Sequence, residues 1–214
     1  MNLTKRSILQ YCEAHSTPQS EVLYELERET HLKTLAPQML SGHLQGQLLR
    51  FLSRLARPRH ALEIGTFTGY GAICIAEGLT EGGQLHNIEA NPELEYIIRK
   101  YFDKAGLSDR IHLHLGPAEE VLPTLPYPWD FAFIDAAKQD YDWYYEAILD
   151  QLRPGGLLLA DNVLWSGKVV GRQSGDEDAA ALHAFNQKVQ ADERVENLML
   201  PVRDGLLIVR KKER

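Results

Sequence analysis

The sequence predicts an α/β fold: a doubly wound, mostly parallel sheet with an antiparallel hairpin at its C-terminal edge and helices at its N-terminus. Three observations predict it. From residue 58 onward short apolar runs alternate with helical stretches, the pattern of parallel strands joined by crossover helices. The run Leu157-Leu158-Leu159-Ala160 is continuously apolar, as a strand covered on both faces requires. Near the C-terminus, residues 198–202 and 206–209 flank Arg203-Asp204-Gly205, a hairpin signal.

Before residue 58 the chain reads helical. Residues 20–30 are rich in Glu and Leu, with Val22, Leu23 and Leu26 in a partial stripe. Leu44, Leu48, Leu49, Leu52 and Leu55 recur at three- and four-residue steps, so that leucine face is expected in the core. Arg57-Pro58 stops the helix. A first strand is expected over 61–65, then a glycine-rich turn, then a helix through Ile73 and Ile75. A second strand covers 84–89. Asn91-Pro92 opens a helix, with Asn as cap and Pro in the first turn, and Gly106 closes it. Strands follow over 111–115 and 129–135, then a helix over about 141–152, the turn Pro154-Gly155 and the strand at 157–160. A polar segment, 161–178, leads to a helix over about 179–191 and the hairpin. Length suits a single domain in which residues 1–57 form a helical arm packed on a core of residues 58–214.

Composition bounds the partners. The 214 residues are 44% hydrophobic and 25% charged, which excludes a disordered or collagen-like chain. A net charge of −7 repels phosphate backbones, so nucleic acid is not an expected partner. The same balance suits a site that holds a cation or a positively charged cofactor. Cys12 and Cys74 cannot build a disulfide framework and read as two small buried hydrophobes. No apolar run reaches the roughly 18 residues of a membrane span, and the polar first twenty residues lack a secretion signal. A soluble cytoplasmic protein with no membrane partner is the expectation.

In doubly wound sheets, ligands bind beyond the carboxyl ends of the strands. That rule selects Glu63, Gly65, Glu89, Asp135 and Asp161, because each stands at a strand end. The glycines of Glu63-Ile64-Gly65-Thr66-Phe67-Thr68-Gly69-Tyr70-Gly71 allow close backbone approach to a ligand, although the spacing is not G-x-G-x-x-G. Glu89, ending the second strand, can accept both hydroxyls of a ribose, so a nucleoside-type cofactor is expected. A carboxylate at Glu63 is unwelcome beside a pyrophosphate but acceptable beside an ammonium or sulfonium. Asp135 ends the fourth strand and Asp161-Asn162 follows the fifth; on neighbouring strands they form a hard, all-oxygen set suited to Mg²⁺. His112-x-His114 sits mid-strand and reads as two strand side chains rather than a zinc ligand pair. Lys138 shares a loop with Asp135, and a neighbouring cation disfavours an ammonium there, which suits Lys138 to act as a general base. Trp165 could stack on an acceptor ring, whereas Tyr141, Trp143, Tyr144 and Tyr145 cannot all face one pocket and read mostly as packing.

Three segments in this order, Glu63-Ile-Gly-Thr-Phe-Thr-Gly-Tyr, Phe-Ile-Asp135-Ala-Ala-Lys138 and Asp161-Asn162-Val-Leu-Trp, resemble the cation-dependent class I S-adenosylmethionine O-methyltransferases, the caffeoyl-CoA and catechol O-methyltransferase-like enzymes. The resemblance runs from about residue 35 to the end and implies a Rossmann-like methyltransferase sheet. It implies S-adenosylmethionine as cofactor, with Glu63, Gly65 and Thr66 at its methionine end, Gly71 opening the next helix, Glu89 at the ribose and Ala118 at the adenine. Met39 and Ser41 match a segment that closes over the cofactor. Asp135, Asp161 and Asn162 would bind Mg²⁺ or another divalent cation such as Mn²⁺ or Ca²⁺. Asp135 would also border the cofactor and take part in catalysis with Lys138, the base. Lys138, Trp165 and Ser166 would meet the substrate, a small catechol-like aromatic diol. A homodimer is also implied. The chain departs from the family pattern at Ala137, where a second acid is common, at Gly71, where a hydroxyl residue is usual, and near Ser166, often Asn in plant enzymes. Two other readings remain open from sequence: a nicotinamide-dependent oxidoreductase, which would leave Asp135, Asp161 and Asn162 unused, and a cofactor-binding protein without chemistry.

Overall fold

A computed structural model describes residues 4–171 and 175–213. Three helices come first: α1 (Arg6–Ala14), α2 (Glu21–Lys33) and α3 (Gly42–Ala56). The sheet alternates with helices as β1 (His60–Ile64), α4 (Tyr70–Ala76), β2 (Gln84–Glu89), α5 (Glu95–Lys104), β3 (Ile111–Leu115), α6 (Ala118–Val121), β4 (Trp129–Ile134), α7 (Tyr141–Gln151) and β5 (Leu152–Asp161). The short α8 (Lys168–Gly171), α9 (Glu177–Ala191), β6 (Val195–Leu200) and β7 (Leu206–Lys211) complete the chain. The local reasons are those of the sequence: Ser20 accepts from the Leu23 amide to cap α2, Asn91 from the Glu93 amide before α5, and Asp176 from the Ala179 amide at α9.

The seven strands lie in the order β3-β2-β1-β4-β5-β7-β6. The first five are parallel, and β7 runs antiparallel to both β5 and β6. The chain builds outward from β1 to β3, then returns to lay β4 on the other side of β1. The switch point is therefore the seam between β1 and β4, where ligand sites of such sheets form. Alternation along each strand divides the core. Leu62, Ile64, Ala132, Ile134 and Leu158 meet α7 and α9 on one face, and Ala61, Phe131, Phe133 and Leu159 meet α2 to α5 on the other.

The structure corrects four expectations. Pro154-Gly155 is not a turn between helix and strand; β5 begins at Leu152, and the irregularity appears as a register shift opposite Trp129 and Phe131. The hairpin has a wider connection, because β6 ends at Leu200 and not at residue 202. The leucine face of α3 reaches the core only in part: Leu49 is buried, Leu48 and Leu52 pack half-buried against the core, and Leu55 is 80% exposed, while Gln45, Gly46 and Ser53 complete the buried stripe. Small residues were selected there because α3 presses on α4, so a Cβ on Gly46 would lie 2.5 Å from the Tyr70 ring, and Ser53 donates to the Ile75 carbonyl at 2.7 Å. Cys12 is exposed, since α1 buries no residue, while Cys74 is buried as expected.

Candidate functional site

At the carboxyl edge, sheet register gathers the carboxylates. Ile134 pairs with Ala160, so the next residues on the two parallel strands, Asp135 and Asp161, follow side by side. Glu63 pairs with both Asn87 and Phe133 and lies on the same face. Gly65, just past β1, has φ of 90°, and a Cβ there would sit 2.0 Å from the Asp135 carbonyl oxygen. Only glycine lets the turn after β1 approach the end of β4 so closely.

Glu63 is buried, and its Oε2 accepts from the Asn87 amide. Burial pushes its pKa well up, with the Asp135 and Glu89 charges adding to the effect. A carboxylate in that state is ready for a cationic group, which would offset its desolvation. Gly71 is explained by the same side chain: a Cβ there would lie 2.6 Å from Glu63 Oε1 and 3.6 Å from Ser41 Oγ. Glu89 accepts from the amides of Phe67 at 2.7 Å and Asn91 at 2.9 Å, so it also ties the glycine turn to the β2 end. Burial raises its pKa against those bonds. Met39, Ser41, Glu63, Gly65, Thr66, Gly71 and Asp135 line one cleft, together with Leu40, Phe67, Tyr70 and Phe133. Ala118 does not line it; it lies buried at the start of α6, after β3, where the Gly116 amide donates to the Glu89 carbonyl at 2.9 Å.

Asp161 is 1% exposed. Its Oδ1 accepts from the Asn162 amide at 2.8 Å and its Oδ2 from Gln45 Nε2 at 2.7 Å. Burial, then repulsion from Asp135, pushes its pKa up to about 6. Asn162 adopts φ of 60°, a conformation Asn tolerates better than most residues. Lys138 Nζ donates to Asp135 Oδ1 at 3.0 Å and to the Tyr141 hydroxyl at 2.8 Å. Tyr141 in turn donates to the Asp161 carbonyl at 3.0 Å, which locks the lysine between both strand ends.

A second groove abuts this cluster, lined by Ala136, Ala137, Lys138, Trp165 and Asp178 among others. Its Trp165 wall is a loop in which Trp165, Ser166 and Gly167 all take positive φ. Ser166 does not line the groove: it is exposed, and its amide donates to Asp204. Of the aromatic cluster, Tyr141, Tyr144 and Tyr145 are buried packing residues, and Trp143 is 40% exposed.

The donor chemistry fits a divalent cation. Among the described residues no group of three or more His, Cys, Asp and Glu could hold a metal, so a zinc-type set is not assembled. What register brings together is two carboxylates that repel each other, and the next residue in the chain, Asn162, has a side chain that makes no hydrogen bond among the described residues. Such an oxygen-only set suits Mg²⁺ or a similar hard ion with room left for other oxygens.

The family model described as O-methyltransferase matches residues 13–212. The chain belongs to the O-methyltransferase family. This methyltransferase is 36% identical over 183 residues to Caffeoyl-CoA O-methyltransferase 2 of Zea mays, covering 78% of this chain and 68% of that protein. It is 34% identical over 160 residues to Catechol O-methyltransferase of Niastella koreensis, covering 73% and 72%. A crystal structure of the O-methyltransferase from Bacillus cereus in complex with SAH superposes with a TM-score of 0.90 at 31% identity, covering 96% of this chain and 97% of that one. The oxidoreductase and non-catalytic readings give way to a methyltransferase enzyme.

Sequence reasoning missed four residues that the structure links by hydrogen bonds to the candidate site residues. Asn87 stands two residues before Glu89 and in register with Glu63, so strand alternation could have found it. Gln45 is a polar residue on the inward side of α3, a signal hidden by the leucines. Tyr141 belongs to an aromatic cluster that the sequence marks mostly as packing without singling out a member, whereas its hydroxyl accepts from Lys138 Nζ. Arg203 gave no signal, because its contacts lie more than 150 residues away.

Proposed function

We propose that this enzyme transfers a methyl group from S-adenosylmethionine to one hydroxyl of a vicinal aromatic diol, with a divalent cation held by Asp135, Asp161 and Asn162. The observation that carries the reading is the register that sets Asp135 beside Asp161 with Lys138 Nζ 3.0 Å from Asp135 Oδ1. A structure of a relative at 31% identity with SAH bound supports the cofactor.

When bound, the sulfonium supplies the methyl group, and a divalent cation lowers the cost of an aryl oxyanion. The chain's own residues do the rest. The cleft from Met39 to Asp135 holds the cofactor, with Glu63 offering negative charge to its cationic end and Glu89 reaching the ribose. The second groove takes the acceptor ring against Trp165. Lys138 in its neutral form would take the proton from the acceptor hydroxyl, with Tyr141 keeping Nζ at the strand ends. A negative oxygen meeting a positive donor loses charge toward the transition state. Rate enhancement therefore rests mainly on alignment, which a two-point grip on adjacent hydroxyls provides.

The test is methyl transfer in the presence of Mg²⁺ to catechol and to phenol. Turnover of catechol, with phenol unreactive or nearly so, supports the reading. Equal turnover of both would contradict the two-point grip.

A further inference from the structure

Arg203 lies in the connection between β6 and β7 with φ of 50°. Its guanidinium crosses to the N-terminal segment: Nη1 donates to the Ser41 carbonyl and, at 3.0 Å, to Gln45 Oε1, and Nη2 donates to the Gln38 carbonyl at 3.2 Å. Gln45 spends the other end of its amide on Asp161 Oδ2, at 2.7 Å. One line of hydrogen bonds thus joins the segment bearing Met39 and Ser41, the hairpin connection and the Asp161 carboxylate.

We propose that Arg203 and Gln45 are positioning residues that fix the Asp161 carboxylate and the 38–41 segment relative to each other, so that the cofactor cleft and the cation cradle are set together. The proposal rests on the cation reading above. Three features carry it. With Asn162 on Oδ1 and Gln45 on Oδ2, the Asp161 carboxylate is held at both oxygens and cannot rotate. The group touching the carboxylate is a neutral amide, so its negative charge stays available to a cation; a lysine or arginine in that place would neutralise it. The formal positive charge sits one residue further out, where a planar guanidinium fork serves three acceptors on two turns of chain and polarises the Gln45 amide toward Asp161.

The experiment is calorimetric titration of the full chain with Mn²⁺ and, separately, with S-adenosylmethionine, on wild type, Gln45→Met, Gln45→Asn, Arg203→Met and Arg203→Lys, with thermal melts confirming the fold. Ligand-orienting residues typically shift metal affinity by about 10- to 100-fold. Gln45→Met should therefore weaken Mn²⁺ by about tenfold or more and leave S-adenosylmethionine binding unchanged, because Arg203 keeps its two carbonyl acceptors. Gln45→Asn, too short to span both partners, should repeat that pattern if the methionine variant does not fold. Arg203→Met should weaken both ligands, and Arg203→Lys should recover part of each. A general loosening of the site would instead reduce both ligands in every variant, and that result overturns the proposal. So does wild-type binding of both ligands by folded Gln45 and Arg203 variants. Wild type that takes up no Mn²⁺ refutes the cation reading itself, and the relay is then decided by the S-adenosylmethionine titration of Arg203→Met, where unchanged affinity refutes it.

Discussion

Lys138 and Asp161 occupy the same few ångströms but are asked for different things. In the proposed mechanism Lys138 moves a proton, so Lys138→Ala should lower kcat by about 10²- to 10⁴-fold while S-adenosylmethionine still binds. In the same mechanism Asp161 holds the cation, so Asp161→Ala should abolish cation binding along with turnover. Steady-state kinetics paired with calorimetry on both variants separates the two roles, and turnover surviving in both would remove them from the chemistry. Gly65 is constrained by space and by its backbone conformation. A Cβ would strike the Asp135 carbonyl at 2.0 Å, and φ of 90° strains any other residue. Gly65→Ala should cost at least about 1–3 kcal/mol and cofactor binding with it; a denaturant melt equal to wild type would contradict the close approach.

The elements were legible where sequence and burial share a period. β2 and β3 fall at their expected bounds, and Asn91 caps the helical turn before α5 as its place ahead of Pro92 predicts. Legibility failed where two helices approach closely. In α3 the leucine pattern finds Leu48, Leu49 and Leu52 at the core, but the contact with α4 extends the buried stripe to Gly46 and Ser53 and leaves Leu55 exposed, a tertiary demand that periodicity does not record. The corrected stripe makes a sharp forecast. Leu49 is fully buried, so Leu49→Ala should destabilise by about 2–5 kcal/mol. Leu55→Ala, at an exposed position, should stay within about 0.5 kcal/mol of wild type. Equal losses in chemical denaturation would place Leu55 in the core with Leu49 and contradict the exposed end of the leucine face. The site was legible for the opposite reason: strand ends are marked in sequence, and register alone brings Asp135 to Asp161. Gln45, which bonds Asp161, and Arg203, which bonds Gln45, come from distant segments and leave no local mark.

Across the whole molecule, the opposite side of the sheet carries a second titrating group. His60, His86 and His112 with His114 stand on three adjacent strands, against Tyr127 and Trp129. His86 Nδ1 lies 3.0 Å from His114 Nε2, and burial, then the neighbouring imidazoles, lowers the His86 pKa to about 4. A histidine whose folded pKa lies below its unfolded value of 6.5 gives the unfolded chain more protons between the two. Stability is full above pH 6.5 and falls as pH drops toward 4. Discounted for partial solvent access, the loss is on the order of 1 kcal/mol, or about 2–4 °C in Tm for a chain of this size. Melts across that window should show it, and His86→Phe should flatten it; an unchanged acid slope in the variant would place the effect elsewhere.

The proposed reaction makes one demand of the whole molecule, a divalent cation between the ends of β4 and β5, where register sets Asp135 beside Asp161. The direct measurement is transfer of a labelled methyl group from S-adenosylmethionine to catechol, first with Mg²⁺, then in excess EDTA, then with Mg²⁺ restored. Turnover should vanish with the chelator and return with the metal. Transfer continuing undiminished in EDTA would contradict the account.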